Sequence, residues 1–71
     1  MNANGLKGYI VKCGYNTKTF LEKLQENGIK MSKNTWYRNM NGEQEFTREE
    51  IKKIAEILEM TDEDIIGIFF S

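Results

Sequence analysis

Seventy-one residues are enough for one domain, read here as residues 1–71, and a chain this short buries only a modest core. It has no His and a single cysteine, Cys13. This excludes an intrachain disulfide, a cysteine-based zinc site and imidazole acid–base work. Formal net charge is −1, which taken alone argues against a polyanionic partner.

The distribution of charge argues the other way. Residues 1–41 carry seven cations and two anions, net +5; residues 42–71 carry three cations and nine anions, net −6. A basic half facing a polyanion, with an acidic half turned away, is the arrangement this split predicts. The opening residues lack a basic start followed by a long apolar run, so no signal peptide is expected. The longest apolar run, Ile65-Ile-Gly-Ile-Phe-Phe70, is far shorter than a membrane span. A lone thiol fits a reducing interior. Cys13 is expected to act as a small buried apolar group.

In chain order, Met1-Asn-Ala-Asn-Gly5 reads as a loose start. Leu6, Tyr9 and Ile10 recur at helical spacing and predict a first helix over about 6–13, ended by Gly14. Asn16 or Thr17 caps a second helix over about 17–26, whose apolar stripe is Phe20, Leu21 and Leu24. Asn27-Gly28 signals a turn. Ser32 caps a third helix over about 33–40, with Trp36 and Met40 on its core side and Asn41-Gly42 as its stop. Thr47-Arg-Glu-Glu50 is a capping box, with Phe46 and Ile51 in the staple positions. Ile51, Ile54, Ala55 and Leu58 continue the fourth helix. Thr61-Asp-Glu-Asp64 is a second box and opens a fifth. No useful segment alternates like a strand, so the chain is predicted all-α with about five short helices.

Enzymatic chemistry finds little support. Ser32 and Ser71 have no base near them in sequence, and Ser32 stands where a cap is expected. The carboxylates Asp62, Glu63 and Asp64 lack the alternating ligands and the Gly of a calcium loop. No glycine-rich phosphate loop is present. Neither an enzyme activity, a metal, a cofactor nor a small-molecule substrate is expected.

The third helix carries the sharper signal. Lys33, Asn34, Tyr37 and Arg38 fall on its non-core face. Lys and Arg donate to guanine O6 and N7, and Asn pairs bidentately with adenine. These four are the candidate base-contacting residues. Thr17 and Lys18 open helix two, where free backbone N–H groups hold a phosphate well. Lys30, Asn41 and Gly42 flank helix three. These five are the candidate phosphate contacts, which position a protein on duplex DNA without reading sequence.

The segments Asn16-Thr-Lys-Thr-Phe-Leu-Glu-Lys-Leu24, Met31-Ser-Lys-Asn-Thr-Trp-Tyr-Arg38, Asn41-Gly42 and Phe46-Thr-Arg-Glu-Glu-Ile-Lys-Lys-Ile-Ala-Glu-Ile-Leu58 together resemble the Cro/repressor-type, or xenobiotic-response-element-like, helix-turn-helix regulators. The ending Met60 to Phe70 is similar to the last helix of small phage-encoded members. The resemblance covers about residues 6–70. It implies a compact five-helix lambda-repressor-like DNA-binding domain, a double-stranded DNA operator, a homodimer, and transcriptional regulation in the cytoplasm of a bacterial host. By position it matches Lys33, Asn34 and Arg38 to base-reading sites, and Thr17, Asn41 and Gly42 to phosphate contacts.

The chain departs from the family in two places. Gln-Glu-Asn-Gly-Ile-Lys between Leu24 and Met31 is longer than the family's usual turn, so either helix two is extended or the turn is enlarged. The Gln common at the start of helix two is absent. Dimerisation is assigned to Ile65, Ile68, Phe69 and Phe70, with Ile66 beside them, because that helix is apolar on many sides. The competing reading is a helical protein-interaction module, such as an antirepressor, antitoxin or host-takeover factor, working through the acidic and apolar C-terminal half.

Overall fold

Among the described residues every helix begins on a side-chain cap, and four of the five end on a left-handed residue. The computed structural model describes residues 1–70; Ser71 lies outside them. The helices are α1 (Ala3–Lys12), α2 (Thr17–Glu26), α3 (Lys33–Met40), α4 (Arg48–Ile57) and α5 (Asp62–Phe69), with no strand among the described residues.

The caps explain the starts. Asn16 Oδ1 accepts from the Thr19 N–H at 2.9 Å while Thr19 Oγ1 accepts from the Asn16 N–H at 2.9 Å. Ser32 Oγ accepts from the Thr35 N–H at 3.2 Å. Thr47 with Glu50, and Thr61 with Asp64, form reciprocal boxes. Each satisfies donors that a helix start otherwise leaves open.

The stops share one geometry. Gly14, Gly28 and Gly42 have φ of 85°, 88° and 81°, which places them just past α1, α2 and α3. Behind each, the next N–H reaches back to the helix: Tyr15 to Ile10 O, Ile29 to Leu24 O, and Glu43 to Arg38 O, all at 2.9 Å. This is the Schellman closure. After α4 the same closure runs from Met60 N–H to Ala55 O at 2.9 Å, but the left-handed residue is Glu59, φ 53°.

Two expectations at the N-terminal end are corrected. Residues 1–5 are not a loose start. Asn2 Oδ1 caps α1 by accepting from the Gly5 N–H at 2.9 Å, and the Asn2 N–H donates to Ile68 O at 2.7 Å. The helix therefore begins at Ala3 and is tied to α5. Gly5 permits that approach, since a Cβ there would sit 2.5 Å from Ile68 Cδ1. Cys13, expected to be buried, is exposed. It occupies the C-cap of α1, where the chain turns at the surface, and its Sγ lies 3.8 Å from Leu58 O.

The core gathers Leu6, Ile10, Phe20, Leu24, Trp36, Met40, Phe46, Ile54, Leu58 and Ile68. Through it runs a chain of aromatic rings, Tyr15–Phe20–Trp36–Phe46–Phe69, with successive centroids 5.6, 5.6, 5.6 and 5.7 Å apart in edge-on or tilted contact. Such pairs add about 0.5–1.5 kcal/mol each beyond area burial. Helix α2 packs on α3 and α4, and α5 packs on α1 and α4. The Cα radius of gyration is 10.9 Å, close to the roughly 11 Å expected of a compact chain this long.

Candidate nucleic-acid interface

Helix α3 has two distinct sides. Trp36, Asn39 and Met40 are buried, whereas Lys33, Asn34, Tyr37 and Arg38 are exposed, followed by exposed Asn41 at the C-cap. The spacing 33, 34, 37, 38, 41 repeats in steps of three and four, so these side chains form one stripe along the helix. The ring contacts of Trp36 with Phe20 and Phe46 hold α3 against the core and fix which side faces outward. At 1.5 Å per residue the helix is about 12 Å long, comparable to the width of a B-DNA major groove.

The connection between α2 and α3 covers residues 27–32. Helix α2 stops at Glu26 on the Gly28 closure, so the extra length lies in the turn and not in the helix. Thr17, at the start of α2, lines a groove with Tyr37 and Asn41. Its floor is Ile10, Trp36 and Met40, its volume is about 300 Å³, and Lys7 stands at its edge. The phosphate candidate at the head of α2 thus neighbours the C-terminal half of α3. Lys33, Asn34 and Arg38 do not line this groove, and neither do Lys18 and Lys30, which are exposed. Gly42 walls a different hollow, together with Asn39 and Phe46.

Of the two caps expected for α2, Asn16 and Thr17, the structure has Asn16, and Thr19 completes its capping box. Sequence reasoning missed the placement of Lys7 and Asn39. Asn39 falls on the buried row beside Trp36 and Met40, a polar residue at an apolar position. For Lys7 no sequence signal exists, because only folding brings it to the groove that Thr17, Tyr37 and Asn41 line.

The two charged halves have different structural explanations. Glu49 and Glu50 occupy the first turn of α4, and Asp62, Glu63 and Asp64 the first turn of α5. Acidic residues there meet the positive end of the helix macrodipole, a stabilising arrangement. The first turns of α1, α2 and α3 hold no acid. Lys18 and Lys33 instead place cations at the heads of α2 and α3, against the dipole. Among the described residues the one ion pair is Lys53–Glu56 at 3.4 Å, so the cations of residues 1–41 are not neutralised by contact with a carboxylate.

Asp64 has a second task beyond its capping box. Its carboxyl is held below the usual 3.8 by the Thr61 backbone N–H first, then by the Tyr9 hydroxyl, with Lys12 adding attraction. The same hydrogen bond to Asp64 raises the Tyr9 phenol above its usual 10.0. Lys12 Nζ lies 5.9 Å from the Tyr9 ring centroid. The cluster joins α1 to the head of α5 on the exposed surface.

The expected apolar interface on α5 is corrected at Ile68, which is 6% exposed and belongs to the monomer core. Ile65 and Phe69 are half-buried, and Phe69 stacks edge-on against Phe46. Packing of α5 on α1 and α4 turns these side chains inward. Ile66 of α5, 60% exposed, and Phe70 at its C-cap, 67% exposed, are the large apolar side chains here that face outward.

No family model, curated protein or solved structure matches this chain. Among the described residues no three His, Cys, Asp or Glu side chains gather as a metal site, and no helix is long and apolar enough to cross a membrane.

Proposed function

We propose that this chain is a sequence-specific double-stranded DNA-binding regulator, repressor-like and of phage or prophage type, with α2 and α3 as its helix-turn-helix. In this reading α3 enters the major groove. Lys33, Asn34, Tyr37 and Arg38 read base edges, while Thr17, Lys18, Lys30, Asn41 and Gly42 hold phosphates. The observation that carries the reading is the exposed stripe on α3, headed by a lysine that opposes its own helix dipole and has no carboxylate partner. An anion supplied from outside gives that arrangement a purpose.

A homodimer would read two half-sites about one helical turn, roughly 34 Å, apart. The body measures 25 × 25 × 20 Å, so two copies side by side suit that spacing. At the α5 end, Ile66 and Phe70 are open to such a contact. The site of action would be the cytoplasm of a bacterial host. The alternative, a protein-interaction module, draws on the same two exposed residues. The acidic half adds little to it, because most of those carboxylates already serve helix starts.

Selection from random DNA duplexes at moderate salt tests the proposal. Enrichment of an inverted repeat, with affinity falling steeply as salt rises, is the expected result. Failure of a folded protein to enrich any duplex sequence overturns it in favour of the interaction module.

A further inference from the structure

Four of the five large apolar side chains exposed among the described residues fall on two surfaces. Val11, 72% exposed, and Tyr37 line the groove between α1, the head of α2 and α3, with Trp36 and Met40 beneath. Ile66 and Phe70 stand on α5 and its C-cap, where Asp62, Ile66 and Phe70 recur four apart as one exposed row with exposed Glu63 beside it. The charges of the two surfaces are opposite. Among the described residues Lys7 lines the groove and no Asp or Glu does, whereas the row holds acids and no cation. The helix dipoles agree, because the groove takes in the positive head of α2 at Thr17 and Phe70 sits at the negative end of α5. A Cβ at Gly67, beside the row, would meet nothing in the chain. Gly is costly inside a helix and lets another backbone approach closely.

The two surfaces do not meet within one molecule. Asn2 and Gly5 of α1 face α5, through Ile68. Lys7 and Val11 lie about half a turn round α1 from them, on the groove side. We propose that the groove receives the Ile66–Phe70 row of a second copy of this chain, apolar side chains packing on Val11 and Tyr37 and the row's acids attracted to the Lys7 side. Each copy then gives a row and offers a groove, a head-to-tail contact that leaves both ends of a pair open. One row in one groove is a small interface, below the roughly 1,200 Å² of stable complexes, so the association is weak and depends on concentration. An occupied groove covers Thr17, Tyr37 and Asn41. Self-association therefore opposes any duplex binding through those residues, a form of control that goes beyond the proposed function.

The test uses the full chain without DNA, so it and the duplex reading fail separately. Sedimentation from micromolar to millimolar protein, at low and high salt, reads the mass. Phe70→Glu removes the apolar end of the row, and Val11→Glu puts an acid at the groove. Both positions are exposed, so both variants should fold, which circular dichroism checks. Lys7→Glu is a second groove variant with the same expectation. The wild-type mass should rise past two chains with concentration, and less so at high salt. Each variant alone should stay a single chain. Mixed, Phe70→Glu and Val11→Glu should pair one to one, because the first keeps its groove and the second keeps its row. A wild-type chain that stays single at millimolar concentration overturns the proposal. So does a mixture of folded variants that forms no pair. Self-association of both groove variants at the wild-type level overturns it too, since that is the result of row pairing with row.

Discussion

Replacing Lys33 with Glu separates what the head of α3 does for folding from what it does for a partner. Lys33 is the first residue of α3, is exposed, and shares its first turn with no acid. A charge at a surface helix start interacts with the macrodipole by about 0.3–1 kcal/mol, unfavourably for a cation and favourably for an anion. Reversal of the sign therefore adds two such contributions, roughly 1 kcal/mol in total at low salt. For a domain of this size that raises the thermal midpoint by about 4–8 °C. The gain should shrink at high salt, where exposed charges are screened. The same change removes a base-edge donor and should weaken operator binding by about 1–3 kcal/mol. Calorimetry of the free protein at two salt concentrations, set beside duplex titrations, gives both numbers. A lower midpoint at low salt refutes the dipole argument. A higher midpoint with unchanged DNA affinity leaves that argument standing and refutes the assignment of Lys33 to the interface.

Two further changes probe the scaffold. Glu59→Gly should stabilise the chain by about 1 kcal/mol, the left-handed penalty of 1–2 kcal/mol less the extra chain entropy of Gly. Urea unfolding measures it, and a lowered midpoint, the chain entropy of Gly alone, would show that Glu59 bears no strain. Asp64 titrates below its usual 3.8 in the folded chain, so its contribution is present above that pH and fades as pH falls through the lowered value. Asp64→Asn should therefore flatten the acid limb of a stability-against-pH curve and leave its shape near neutrality alone; an identical acid limb in both proteins would contradict the Tyr9–Thr61–Asp64 arrangement.

Helix positions were legible in the sequence because caps and stops are local chemistry. Ser32, Thr47-Arg-Glu-Glu50, Thr61-Asp-Glu-Asp64 and the glycines at 14, 28 and 42 act within one turn of themselves, so their effect follows from spacing alone. The early start of α1 escaped notice because its anchor, the carbonyl of Ile68, is remote in sequence. The exposed stripe on α3 was legible for the same reason as its buried row: both follow from a period of 3.6 residues. What lies beside the stripe was not. Only packing brings Thr17 to Tyr37 and Asn41, or hollows the space beside Asn39. The fate of α5 was likewise a tertiary decision. Its apolar residues read alike in sequence, and only contact with α1 and α4 buries Ile68 while leaving Ile66 and Phe70 in solvent. Local hydrogen bonding and periodicity thus determine where helices begin, end and turn their faces. Which of two similar faces is covered depends on long-range burial, whose partners no local pattern names.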